Sequence, residues 1–197
     1  MRIIRIANEV TDPEADMFLK WFSGSKIVDK NGEPLEVYHG TPRQFEKFEL
    51  SGYGNYGTGI YLTADPYMAR QYASGKDGKI MATYVKMLNP YFVKSKEDKR
   101  RLMDLTKAKQ ISPRDLLAKQ GYDGIVDNVM FSEYGTMFVA FLPSQVKIVP
   151  KQKNKDEYSY EGPEHPLARR KRGLPPKDTL KDYESFGHDQ EADLDSF

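Results

Sequence analysis

The stretch Leu35-Glu36-Val37-Tyr38-His39-Gly40-Thr41, followed downstream by Gly57-Thr58-Gly59-Ile60-Tyr61-Leu62-Thr63-Ala64-Asp65-Pro66, decides the fold. Residues 35–39 alternate like a half-buried strand and stop at a glycine. Residues 52–59 are rich in Gly and Tyr and read as a loop. Residues 60–63 form a second short strand. Asp65-Pro66 then opens a helix running to about residue 73, with Pro66 at the first helical position, where its missing N–H costs nothing. Working outward, residues 80–87 predict a strand, and residues 96–107 and 113–119 predict helices, the latter capped by Ser112. Gly121-Tyr122-Asp123-Gly124 is a turn before Ile125-Val126. Residues 137–141 and 145–149 read as strands hinged at Pro143. Upstream, residues 14–22 make an amphipathic helix with Asp12 as N-cap, Pro13 at its first position, Gly24 as its stop, and Phe18, Trp21 and Phe22 on one face. Many short strands with helices outside predict an α+β class with a split, antiparallel two-sheet core and peripheral helices, not a doubly wound sheet.

The chain has 197 residues and a formal net charge of +1, with 30 Lys+Arg against 29 Asp+Glu. That balance gives no global drive towards nucleic acid or an anionic membrane. There is no cysteine, which excludes disulfides, thiolate metal sites and a thiol nucleophile. The three histidines, His39, His165 and His188, are too scattered for a histidine-rich zinc site, so no metal is expected. No apolar run approaches the roughly 18 residues of a membrane span. The opening Met1-Arg2-Ile3-Ile4-Arg5-Ile6 is too soon interrupted for a signal peptide. A cytoplasmic protein is therefore expected, with no membrane partner. Composition changes at Pro150: residues 151–197 hold no Val or Ile, carry the basic cluster Arg169-Arg170-Lys171-Arg172, and end acidic. The expected organisation is one domain over residues 1–150 and a polar tail over 151–197. The tail is either solvated or docked on a protein partner through aromatics such as Tyr158 and Phe186.

No phosphate-binding Gly-rich loop, dinucleotide fingerprint, zinc-protease motif or serine-hydrolase elbow occurs. What stands out is an ordered set of short motifs. Trp21-Phe22, Ser25-Lys26-Ile27-Val28-Asp29, Gly32 and Pro34 precede Val37-Tyr38-His39-Gly40-Thr41. Gly57-Thr58-Gly59-Ile60-Tyr61 follows, then Ala69-Arg70-Gln71-Tyr72-Ala73, Gly121-Tyr122-Asp123-Gly124 and Phe141-Leu142-Pro143-Ser144-Gln145. Over about residues 17–149 this set resembles the ADP-ribosyltransferases of the diphtheria toxin and poly(ADP-ribose) polymerase type, whose core triad reads His, Tyr, Glu. It is most similar to the bacterial and phage forms found in polyvalent proteins.

The resemblance implies NAD as substrate, no metal, and a macromolecular acceptor, protein or nucleic acid. It implies that His39 contacts ribose hydroxyls, that Gly40 clamps the nicotinamide carboxamide with its backbone, with Thr41 beside it, and that Tyr61 and Tyr72 sandwich the nicotinamide ring. These residue types suit the chemistry. Nicotinamide in NAD is a planar cation, held by aromatic faces through stacking and cation–π attraction. Breaking its bond to ribose builds oxocarbenium character that a carboxylate stabilises. Here the family's glutamate position falls at Met137, and Glu133 is the carboxylate nearest to it in sequence. The polymerase-type serine that binds the carboxamide falls at Ala69. A mono-ADP-ribosyltransferase using His39, Tyr61 and Glu133 is the first reading. A non-catalytic module that binds or builds through its tail, in a phage virion for example, is the second. Nucleic-acid binding through Arg169 to Arg172 is the third. Gln145 reads as a structural hydrogen bonder and Asp123 as a turn former.

Overall fold

The computed structural model describes residues 13–43, 45–129 and 135–149. The expected N-cap Asp12, the carboxylate Glu133 and the tail over 151–197 lie outside the described residues. Helix α1 (Pro13–Phe22) is followed by strand β1 (Glu36–Thr41), strand β2 (Ile60–Thr63), helix α2 (Pro66–Arg70), strands β3 (Lys79–Val85) and β4 (Pro90–Val93), helices α3 (Lys96–Ala108) and α4 (Pro113–Lys119), and strands β5 (Gly124–Asp127), β6 (Met137–Ala140) and β7 (Val146–Ile148).

The class is α+β, as expected. The strands are hydrogen-bonded as one seven-stranded sheet in the order β4-β5-β6-β2-β1-β3-β7. The expected split takes the form of a seam. β1 and β2 share one registered pair, Tyr38 with Thr63, whereas β1 and β3 pair over six residues and β2 and β6 over four. All pairings are antiparallel except β4 with β5. β4 was not foreseen, and it starts on a proline, a residue that counts against a strand. Pro90 is tolerated as the first residue of a strand at the sheet's edge, where its missing N–H forfeits no ladder bond. The parallel pair is made possible by the two-helix crossover through α3 and α4.

Both faces of the β5-β6-β2 half are covered, so β5 and β6 are buried continuously rather than alternately, and β2 is buried except at Tyr61. One core holds Ile60, Leu62, Val126, Phe138 and Ala140 with Val37, Val85 and Met87. The other lies against α3 and α4 and holds Tyr56, Leu102, Leu117, Ile125, Met137 and Val139. Helix α1 docks on the opposite half. Phe18 sits 4.8 Å from the Tyr84 ring, the Trp21 indole N–H donates to the Ser144 carbonyl (3.1 Å), and Lys147 Nζ lies 4.9 Å from the Trp21 ring centroid.

Helix α2 ends at Arg70, short of the expected residue 73. From Gln71 onward the N–H groups bond three residues back, Gln71 to Met68, Tyr72 to Ala69 and Ala73 to Arg70, so the last turn tightens out of α geometry. Its start is as expected: Asp65 accepts from the Tyr67 N–H (2.8 Å) and Pro66 follows it. α3 carries a capping box between Ser95 and Asp98, and Ser112 caps α4.

Candidate active site

The seam between β1 and β2 is where backbone groups are available. Ala64 donates to the Thr136 carbonyl (2.9 Å). Backbone groups alternate sides along a strand, so Ile60 and Leu62 bond β6, while Tyr61 and Thr63 turn to β1. On the far side, Val149 donates to the Ala82 carbonyl, which turns the even residues of β3 to β7 and the odd ones to β1. Thr83 is registered with Val37, so the odd residues of β1 bond β3. Tyr38 and Gly40 therefore aim their N–H and C=O at β2. Tyr38 pairs there with Thr63. Gly40, level with Tyr61, opens its backbone donor and acceptor on the seam.

The Tyr61 carbonyl has a different partner. His39 Nδ1 lies 2.9 Å from it. A carbonyl only accepts, so Nδ1 carries the proton. Burial holds the His39 pKa below its ordinary value, and the bond to Tyr61 opposes that only in part. The imidazole is thus neutral near pH 7, and its Nε2 is a hydrogen-bond acceptor. Phe45 and Phe48 meet the ring edge-on at 5.7 and 5.1 Å. A neutral, oriented Nε2 suits a hydroxyl donor such as a ribose.

Gly40 is required by packing as well as by access. A Cβ built on it would lie 1.7 Å from the Ala69 carbonyl oxygen and 3.0 Å from Tyr72 Cβ. The end of α2 thus presses on Gly40 and sets Tyr72 on the face of the sheet that Tyr61 shares. Tyr72 is 61% exposed, so its ring is open to a ligand. Tyr61 is half-buried, and its hydroxyl is fully used: it donates to the Gly57 carbonyl (2.6 Å) and accepts from the Tyr56 N–H (3.1 Å). Burial raises its pKa, partly offset by that Tyr56 bond. What Tyr61 can offer a ligand is its ring, not acid–base chemistry.

The structure therefore brings Gly40, Tyr61 and Tyr72 together on one face. His39 reaches the same seam from the other face, where Phe45 and Phe48 lie. Thr41 is buried, and its hydroxyl donates to the Arg43 carbonyl (2.8 Å) and accepts from the Arg43 N–H (3.3 Å), so it shapes the chain's exit from β1. Met137 is buried and registered with both Thr63 and Asp127, so the position to which the resemblance assigns the family's glutamate belongs to the core. Ala69 is buried and offers only its backbone. No cluster of metal-binding side chains occurs among the described residues. No helix there is long and apolar enough to cross a membrane.

A family model described as ADP-ribosyltransferase in polyvalent proteins matches residues 29–156, more than half of the chain. The chain belongs to that family. No curated protein matches it. ADP-ribosyltransferases use NAD as substrate, and the residues at the seam of this ADP-ribosyltransferase domain fit it. An amide can be read by the paired N–H and C=O of Gly40, and a cationic ring by Tyr61 and Tyr72. The match begins at Asp29, so α1 stands before it. It runs six residues beyond the expected boundary at Pro150.

Other motif residues serve the scaffold. Gln145 Oε1 accepts from the Phe141 and Leu142 N–H groups, and its Nε2 donates to the Lys86 and Asp123 carbonyls. Asp123 accepts from the Leu88 and Asn89 N–H groups. Sequence reasoning missed Tyr56, Lys99 and Asp127. Tyr56 donates to Asp127 Oδ2 (2.6 Å), and Lys99 Nζ pairs with the same oxygen (3.0 Å). The available signal was weak: a lone aspartate ending the apolar run Gly124-Ile125-Val126, and one tyrosine among several in a glycine-rich loop.

Proposed function

We propose that this ADP-ribosyltransferase domain is an NAD-dependent mono-ADP-ribosyltransferase that modifies a protein or nucleic-acid acceptor and releases nicotinamide. The observation that carries the reading is the meeting of Gly40, Tyr61 and Tyr72 at the seam, with neutral His39 beside it. In this reading Gly40 takes the carboxamide, Tyr61 and Tyr72 take the ring, and His39 Nε2 accepts from a ribose hydroxyl. The C1′–nitrogen bond then breaks, and its electron pair leaves with nicotinamide as the neutral base. An acceptor nucleophile bonds C1′ and sheds its proton. We assign the carboxylate that stabilises the oxocarbenium to Glu133, the one nearest in sequence to Met137. Chain elongation to poly-ADP-ribose is not part of the proposal, because the family's glutamate is replaced by Met137.

Incubation with NAD labelled in the adenylate, together with a lysate, tests the reading. The expected result is nicotinamide release and a labelled macromolecule, with release lowered about 10²-fold by Glu133→Gln, the scale for losing one preorganised electrostatic group. Burial of Met137 favours a second reading, a non-catalytic module. NAD binding without release, from wild type and from Met137→Glu alike, would establish that reading in place of the first.

A further inference from the structure

The Tyr61 phenol touches residues 54–57, and that segment is held with unusual completeness. Gly57 donates to the Gly54 carbonyl (3.1 Å), and Arg114, in the first turn of α4, donates to the Tyr56 carbonyl (2.9 Å). A Cβ on Gly54 would lie 2.1 Å from Tyr61 Cζ, and one on Gly57 would lie 2.8 Å from Ser112 Cβ. The segment is thus pressed between the Tyr61 ring and the start of α4, with Gly57 at φ +92°.

Its anchor is the Tyr56 side chain. That ring is fully buried, and its hydroxyl donates to Asp127 Oδ2. Asp127 is fully buried on β5, and Oδ1 accepts from the Val129 N–H (2.8 Å). Lys99 from α3 pairs with Oδ2, and its Nζ lies 5.5 Å from the Tyr56 ring centroid. Lys99 is partly exposed while Asp127 is fully buried, and taking that carboxylate out of water offsets much of what the pair gains in stability. Here the pair and the phenol converge on one loop residue, and that residue's backbone N–H is what Tyr61 Oη accepts from.

We propose that Tyr56, Asp127 and Lys99 are positioning residues for Tyr61: they lock the loop backbone that orients the Tyr61 ring at the seam. This rests on the reading that the Tyr61 ring faces nicotinamide. The Gly54 backbone packs against the ring, and the hydrogen-bonded route from the lock to the ring is the Tyr61 hydroxyl. Removing the Tyr56 hydroxyl, the Tyr61 hydroxyl, or both should therefore have the same consequence.

The test is a double-mutant cycle of Tyr56→Phe and Tyr61→Phe, read by calorimetric titration with NAD and, independently, by the flip rate of the residue-61 ring in NMR spectra without ligand. Each single variant should bind NAD about tenfold more weakly, the scale of one lost hydrogen bond. The double variant should be no weaker than either single one. The Tyr61 ring should flip faster in Tyr56→Phe. Wild-type affinity in Tyr56→Phe, or losses that simply add, would overturn the proposal. So would an unchanged flip rate, whether or not NAD binds. If wild type does not bind NAD, the functional reading fails, while the flip rates still decide the positioning. Where Tyr56→Phe does not fold, Lys99→Met removes the cation that holds the carboxylate and carries the same expectations in both readouts.

Discussion

Two junctions of this sheet treat polar groups in opposite ways. Around Gln145 every polar atom of the side chain is matched, two N–H groups into Oε1 and two carbonyls onto Nε2, so the Phe141–Leu142 turn, the Lys86 strand end and the Asp123 turn are stapled at one point. At the β1–β2 seam one residue pair is registered, a side chain takes a carbonyl from the ladder, and a glycine aims both backbone groups into the gap. Both junctions come from short motifs that look alike on paper. The difference teaches that motif residues divide into those that close the scaffold and those that leave it open, and that hydrogen-bond accounting separates them.

The largest expected effect is at the closed junction. Gln145→Leu strands two N–H groups and two carbonyls, each costing about 1–3 kcal/mol when left unsatisfied in the interior. A fall in the unfolding midpoint of roughly 10 °C follows from about 3 kcal/mol of net loss in a domain of this size. The fraction that remains folded at lower temperature should keep its NAD affinity. Calorimetric melting and titration check both, and an unchanged midpoint would mean that the staple is decorative.

At the seam, Gly40→Ala should both destabilise and disable. The new methyl would overlap the Ala69 carbonyl, a backbone atom that cannot rotate away, so α2 must shift. The expected loss is about 1–3 kcal/mol of stability, the range for overpacking. NAD affinity should fall with it, because Tyr72 rides on the same helix end. Equal stability with equal affinity would show that α2 does not press on Gly40.

A smaller effect separates the two regions by pH. The His39 pKa lies below its ordinary 6.5 in the folded chain, chiefly through burial. Below pH 6.5 the unfolded chain takes up a proton that the folded chain still refuses. The stability tied to this group is complete above that pH and is lost as pH falls through the lowered folded value. Urea unfolding at neutral pH and at about pH 5 should show a loss on acidification that shrinks in His39→Asn. The NAD affinity of wild type should fall over the same window, as protonation turns the Nε2 acceptor into a donor. An identical acid loss in both proteins would place the pH sensitivity elsewhere.

Much of the architecture was legible in local chemistry. Ile60–Thr63 and Pro113–Lys119 form where alternation and the Ser112-Pro113 start place them. The motif order also carried the family. The missed β4 turns on a proline whose edge position no single chain reveals. The shortened α2 turns on Gly40 pressing against its last carbonyls, a contact between separated segments. At the candidate site, His39, Gly40, Tyr61 and Tyr72 were named through the family resemblance, and their types suit a planar cationic amide. The saturation of the Tyr61 phenol and the lock at Asp127 were not. Both depend on how the loop over residues 54–57 folds back between β2 and α4, and that is set by tertiary packing rather than by any local pattern.

In the proposed reading, an aromatic slot at the seam binds the nicotinamide end of NAD. Tyr72 tests it most directly, because its side chain is 61% exposed and its removal should leave stability within about 0.5 kcal/mol. Calorimetric titration of NAD into wild type and Tyr72→Ala should show binding weakened by roughly 1–2 kcal/mol, from lost stacking and cation–π contact, with unchanged melting. Equal affinity in the two proteins, with the fold intact, would contradict the account.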